Sequence, residues 1–317
     1  MTENTRKFLS NFLPFAVSAA LLWVLSKMID FNEAIRIIKS ADLKYIFYAL
    51  MFFSTINLIL IVRWFVFIKA LELKVDFVTA VRYYLIGLLG NSILPSSVGG
   101  DVIKIVGVCA GSQDKPKVVA SVLIDRLSGF AGMVLVATVS FILGFRLISN
   151  PSVILLVIGM AVASTGIATV LFNQTAYSFC CQIFGRFPKF KDALMKIHYD
   201  LALLKGRQWA GYQAILLSAL SQMTLAVTYF LLAKALHQDV NFFYFIIFTP
   251  LICVVSSVPS IGGLGIRELG AAYFFGKVGM LESAASSVTF ISYLFMVFIG
   301  LLGGLYFLLT RAPAKES

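Results

Sequence analysis

The sequence predicts an all-α polytopic membrane protein with about six full spans and two broken, re-entrant segments arranged as an inverted repeat. Three observations carry that expectation. The chain is 60% hydrophobic with a mean hydropathy of +0.92, more apolar than a soluble domain needs for its core. Several runs reach the roughly 20 apolar residues that cross about 30 Å of hydrocarbon. Two further apolar stretches share one order of helix-breaking and charged residues.

The first run, 8–26, follows Arg6 and Lys7 and lacks a small-residue cleavage site, so it is expected to remain as an uncleaved span. Further crossings are expected at 45–68, 118–145, 153–172, 211–236 and 286–310. Residues 1–317 then form a single membrane domain, with repeat halves at about 45–172 and 211–310. Between the halves, 173–210 places Phe190, Leu194, Ile197, Leu201 and Leu204 on one helical stripe with Lys191, Lys196 and Lys205 off it. That pattern suits a helix on the inner leaflet, or one packed on the bundle. The same stretch holds Arg186, Lys189 and Arg207, so the retention of basic residues inside makes it cytoplasmic and puts both termini there too. The basic residues of 27–44 run against this orientation.

The broken segments are 77–108 and 242–282. NSILPSSVGGDVIK at 91–104 and VSSVPSIGGLGIRE at 255–268 each run through serine, proline, serine, a glycine pair and a basic residue. Proline blocks helix continuation and glycine permits a sharp turn, so Pro95, Gly99 and Gly100 in one and Pro259, Gly262 and Gly263 in the other should separate two helices. Unpaired backbone costs several kcal/mol per group in hydrocarbon, so such breaks belong beside protein or trapped water. The helix N-termini there would offer N–H groups to an anion, with Lys104 and Arg267 adding full charge. Neither GxGxxG nor GxxxxGK[ST] is present, which argues against a nucleotide loop.

Charged residues also lie inside crossings. Arg63 interrupts LILIVRWFVF, and Asp125 with Arg126 interrupts ASVLIDRLSGFAG. Such groups normally face the bundle interior or water. Ser121, Ser128, Gly129 and Gly132 share the helical face of Asp125, so that face should meet protein. Asp125 and Arg126 point about 100° apart, so each needs another partner. Asp125 would either neutralise Arg63, Lys104 or Arg267 as scaffold, or tune a cationic site beside Asp101 and Glu268. Arg82 reads as a headgroup-level anchor and Gly300 with Gly304 as a packing GxxxG. Trp64, Tyr83, Tyr84 and Trp209 read as interfacial belts. Cys109, Cys180, Cys181 and Cys253 form no CxxC pair, and only His198 and His237 could join them, so no metal, disulfide framework or cofactor is expected.

Through the arginine of VRWFVF, then LPSSVGGDVIK, SVLIDR and PSIGGLGIRE in that order, the chain resembles the flippase-like integral-membrane family that includes the transmembrane half of lysylphosphatidylglycerol synthases. The likeness covers about residues 10–310. It departs from the family's GGDxxR at GGDVIK, where Lys104 replaces a forked donor with a point charge. The resemblance implies translocation of phospholipids, aminoacylated lipids or polyprenyl-phosphate-linked sugars across a cytoplasmic membrane. It does not imply aminoacyl transfer, since such synthases carry a soluble catalytic domain beyond the membrane part and the sequence given ends at Ser317.

The function expected is therefore a lipid flippase rather than an enzyme. Arg63, Lys104, Arg126 and Arg267 would hold a phosphate headgroup, and Asp101, Asp125 and Glu268 would serve as charge partners. Two alternatives stay open: an enzyme on a lipid phosphate with Asp101, Asp125 or Glu268 as general base, and an ion-coupled small-solute carrier, since broken helices serve that chemistry too. No DxD pair or HExxH supports the enzyme. The expected partners are membrane lipids and not nucleic acid; self-association and a lipid-modifying partner enzyme stay open. A net charge of +11 suits contact with anionic leaflets.

Overall fold

The computed structural model describes residues 36–93, 99–144, 207–256 and 263–310, with isolated positions between 146 and 162. The crossing expected at 8–26, nearly all of that at 153–172, the stretch 173–206 and the residues Pro95, Pro259 and Gly262 lie outside the described residues. Among the described residues the chain is helical, with no strand. The helices in order are α1 (Leu43–Ala70), α2 (Phe77–Ile93), α3 (Gly99–Cys109), α4 (Lys115–Gly144), α5 (Gln208–Ala235), α6 (Phe242–Val255), α7 (Ile266–Gly276) and α8 (Glu282–Thr310).

Four of these, α1, α4, α5 and α8, are long and apolar enough to cross a membrane. They coincide with four of the expected spans, each beginning two to four residues earlier and ending within two residues of the expected end. Their starts follow local chemistry: the Asp42 carboxylate accepts from the Lys44 N–H at 2.8 Å ahead of α1.

α1 and α5 lie side by side and antiparallel. At one end the Asp42 N–H donates to the Ala235 carbonyl at 2.9 Å. At the other, Arg207 donates to the Ala70 carbonyl and pairs with Glu72. The Arg207 guanidinium holds the Glu72 carboxyl below its ordinary value in that exposed connection.

The two broken segments each fold as a helical hairpin. Along α2 and α3, Gly87 approaches Gly100, Gly90 approaches Gly100 and Ile103, and Gly107 meets Tyr83, so the second helix returns along the first. A Cβ on Gly100 would stand 2.1 Å from the Gly87 carbonyl oxygen, which reserves that position for glycine. The α6–α7 hairpin returns in the same way but packs with rings: Phe245 on Phe275 at 4.6 Å and Phe248 on Phe274 at 5.4 Å between centroids. The described ends of both motif stretches, 91–93 with 99–104 and 255–256 with 263–268, belong to or border the helices of these hairpins.

Pro250 sits inside α6 and removes the N–H that would bond the Ile246 carbonyl. Ser140 of α4 donates its hydroxyl to that carbonyl at 3.2 Å, replacing the missing bond from a neighbouring helix. On the other side of the bundle, Gly300 and Gly304 of α8 pack against Leu89 of α2, the packing role expected of that GxxxG pair.

Candidate functional site

Two polar clusters lie within this bundle, buried or partly buried except for Arg126, whose side chain is 41% exposed. In the first, Arg63 of α1 donates from Nε to Asp125 of α4 at 2.8 Å and from Nη1 to Ser218 of α5 at 3.0 Å. These contacts join three helices. Gly129 leaves room for the guanidinium, since a Cβ there would come 2.6 Å from Arg63 Nη1. The small face around Asp125 thus meets protein, as its spacing predicted. Asp125 neutralises Arg63, the scaffold pairing among those the sequence left open.

Asp101 at the start of α3 takes the other two bases. Arg126 reaches its Oδ2 at 2.7 Å, and Lys104 lies 3.5 Å from its Oδ1. The Lys104 ammonium also lies 4.7 Å from the Tyr84 ring centroid and 5.4 Å from that of Trp64. Trp64 is 0% exposed and Tyr84 6%, which corrects the expectation of interfacial belts for both. They line the interior because Lys104 and Ser121 supply polar partners there; the Trp64 N–H donates to Ser121 Oγ at 3.3 Å. Trp209, by contrast, is 70% exposed. The Tyr83 ring packs beside Phe307 at 6.4 Å and meets Gly107, a helix contact in place of a belt. Arg82 lies 6.0 Å from the Tyr306 ring on the same helix pair.

The second cluster sits where α7 begins. Gly263 and Gly265 have φ of +79° and +88°, backbone that side chains rarely adopt, and this explains two glycines of GGLG. The turn delivers Arg267 and Glu268 inward. Glu268 Oε2 accepts from the Gly265 N–H at 2.7 Å, and its Oε1 lies 3.3 Å from Arg267 Nη2. Ser286 of α8 donates to the Glu268 carbonyl at 3.2 Å. Arg267 lies 5.8 Å from the Tyr293 ring and within electrostatic range of Tyr229 and Cys253. Its Nε is buried without a hydrogen-bond partner among the described residues, and so is Gln222 Oε1. Gln222 bonds the neighbouring Cys253. Among the described residues this guanidinium makes one hydrogen bond, to the adjacent residue, and its Nε is a donor to spare.

The helix N-terminal N–H groups expected to face an anion are partly taken by the chain itself. Asn91 Oδ1 accepts from the Gly100 N–H at 2.8 Å, and Glu268 serves Gly265. Gly99 and Gly100 are buried in the α2–α3 contact. Residues that the sequence reading missed are Ser218 on Arg63, the Trp64–Tyr84 pair on Lys104, and Gln222, Tyr229, Cys253 and Tyr293 around Arg267. One signal was available: Trp64 and Tyr229 stand at the same distance from the ends of α1 and α5, and each faces the base of a returning helix.

At a rise of 1.5 Å per residue, Arg63 lies about 10 Å from the end of α1 and Asp125 about 15 Å from the start of α4. Tyr229 lies about 9 Å from the end of α5 and Arg267 about 14 Å from the end of α7. Because α1 and α5 are antiparallel, these depths run from opposite ends of the bundle.

These features define a polytopic helical membrane protein with charged groups buried between its spans. The chain belongs to the lysylphosphatidylglycerol synthase TM region family, whose model matches residues 11–304. It is also similar to a UPF0104 membrane protein, PH1989, of Pyrococcus horikoshii, with 24% identity over 98% of this chain and 100% of that protein.

Proposed function

We propose that the chain is a lipid transporter of the cell membrane, with both termini cytoplasmic, and that it moves a phosphate-bearing lipid without covalent chemistry. The lipid is a phospholipid, an aminoacylated phospholipid or a polyprenyl-phosphate-linked glycolipid. The observation that carries this reading is Arg267: a guanidinium with a side chain 14% exposed, in the first turn of α7, with Nε unpaired among the described residues. Buried donors without partners cost free energy unless something accepts from them, and an anionic oxygen does so best. The first cluster adds three bases against two acids, a local excess that draws anions. Its acids, Asp101 and Asp125, are engaged by bases, which favours a carrier over a catalyst using them as general bases.

The helix arrangement supports an inverted repeat. Exchanging α1–α4 with α5–α8 in order maps the contact of α2 with α8 onto that of α6 with α4, and α4 with α5 onto α8 with α1. The remaining pairs map likewise, and α1 with α5 maps onto itself. Antiparallel α1 and α5 then make the two hairpins dip from opposite faces, the arrangement that places a substrate site near the midplane. Lipid tails would stay in the bilayer while the headgroup passes between clusters.

The test is transbilayer movement of a fluorescent anionic phospholipid in proteoliposomes. Arg267→Gln should slow it about tenfold or more, the loss of charge-assisted hydrogen bonds worth about 1.5–3 kcal/mol. The melting temperature in detergent should shift little. An unchanged rate in a folded Arg267→Gln protein overturns the assignment.

A further inference from the structure

The carboxylate of Glu268 stands on the donors that an incoming headgroup would use. Its residue is 2% exposed, one oxygen accepts from the Gly265 N–H at 2.7 Å and the other lies 3.3 Å from Arg267 Nη2. An anion reaching Arg267 meets the carboxylate at close range. With both ionised, the pocket would hold two negative charges against one guanidinium, and an uncompensated charge in a buried site is costly. If the carboxyl takes a proton from the aqueous phase as the anion enters, the pocket stays neutral: Arg267 with Glu268 before, Arg267 with the anion after.

The groups that face this pair are few among the described residues. From α8 come Tyr293 and the Ser286 hydroxyl, from α5 Tyr229, from α6 Cys253 on the Arg267 side, and from α7 Arg267 itself. Phenols and thiols ordinarily keep their protons near neutrality, with pKa about 10 and 8.5, and guanidinium keeps its own throughout. Glu268 is the carboxylate of this set, the group whose charge an incoming anion opposes at close range.

We propose that Glu268 is a proton-binding site linked to headgroup binding, so that the protein takes up one proton for each phosphodiester anion bound at Arg267. This rests on the headgroup reading above and names its coupling ion. A protonated Glu268 still has a carbonyl oxygen for the Gly265 N–H, so the cap survives while Arg267 turns to the ligand. Linkage sets the sign: a ligand that favours the protonated acid binds more tightly as pH falls.

The experiment uses the full chain in detergent with dihexanoyl phosphatidylglycerol, whose phosphodiester keeps one charge across the range, titrated calorimetrically from pH 5.5 to 8. The wild type should weaken as pH rises, approaching tenfold per unit, the slope for one linked proton. Titrations in buffers of different ionisation enthalpy should show one proton taken up per lipid. Glu268→Gln should bind with a flat pH profile and no uptake. If that variant fails to fold, the proton count on the wild type decides alone. A flat wild-type profile without uptake, while Arg267→Gln still weakens binding, overturns the coupling and leaves the headgroup site standing. Unchanged binding by Arg267→Gln overturns both. Inorganic phosphate, titrated in a second arm, should bind far more weakly; equal affinity would reassign the site to a soluble anion and overturn the lipid assignment.

Discussion

α1–α4 and α5–α8 each run as a long helix, two shorter helices and a second long helix, and they differ in what fills that order. In α1–α4 the returning helix is zipped to its partner by glycines, Gly87, Gly90, Gly100 and Gly107, whereas in α5–α8 the equivalent contact is made by Phe245, Phe248, Phe274 and Phe275. The polar centres differ as well. Arg63 spends its donors on Asp125 and Ser218, residues from two other helices, at 2.8 and 3.0 Å. Arg267 has one contact at 3.3 Å with its neighbour in sequence and an unpaired Nε among the described residues. Beside it, Ser286 of α8 donates to the Glu268 carbonyl at 3.2 Å. The contrast is between a buried base that joins helices and acts as a brace, and one whose hydrogen bond among the described residues is local, on which the proposed headgroup site rests.

The sharpest way to break this comparison is to remove the acid of the brace. Asp125→Leu leaves Arg63 buried without its counter-ion and should destabilise the protein by about 3–5 kcal/mol, whereas the double change Arg63→Met with Asp125→Leu should restore most of the loss. Denaturant titration of purified protein reads both; a double variant as unstable as the single would refute the brace.

Packing offers a second test. Gly100→Ala drives a methyl to 2.1 Å from the Gly87 oxygen and should cost about 1–3 kcal/mol. Gly270→Ala, on the returning helix of the other half, meets nothing nearer than 3.8 Å and should be neutral or stabilising by about 0.5–1 kcal/mol. Melting temperatures moving equally for the two would remove the contrast between glycine-zipped and ring-packed hairpins.

The smallest effect concerns Ser140. Its hydroxyl serves the carbonyl that Pro250 leaves unbonded, so Ser140→Ala should cost about 1 kcal/mol. In a Pro250→Ala background, where the helix regains its own bond, the same change should cost less. Additive losses in the double variant would show that the two residues are uncoupled.

Much of this was readable in advance, for a local reason. Apolar runs of sufficient length located α1, α4, α5 and α8, because a bilayer imposes its thickness on any helix that crosses it. The described glycines of those stretches act on the backbone at their own position: Gly263 takes a positive φ ahead of α7, and Gly100 packs on Gly87. Helical spacing placed Asp125 on a protein-facing side. Trp64 and Tyr84 were misread as interfacial because an aromatic near a helix end has the same composition whether it meets headgroups or a buried lysine.

What the sequence determined by itself is where helices run, where they stop and which charged residues they carry inward, all consequences of steric and solvation rules acting over a few residues. The tertiary structure alone decided which base meets which acid across helices: Arg63 with Asp125 and Arg126 with Asp101. Those pairings follow from distances between packed helices, and no spacing along the chain encodes them, because a side chain's periodicity sets its direction and not what lies opposite.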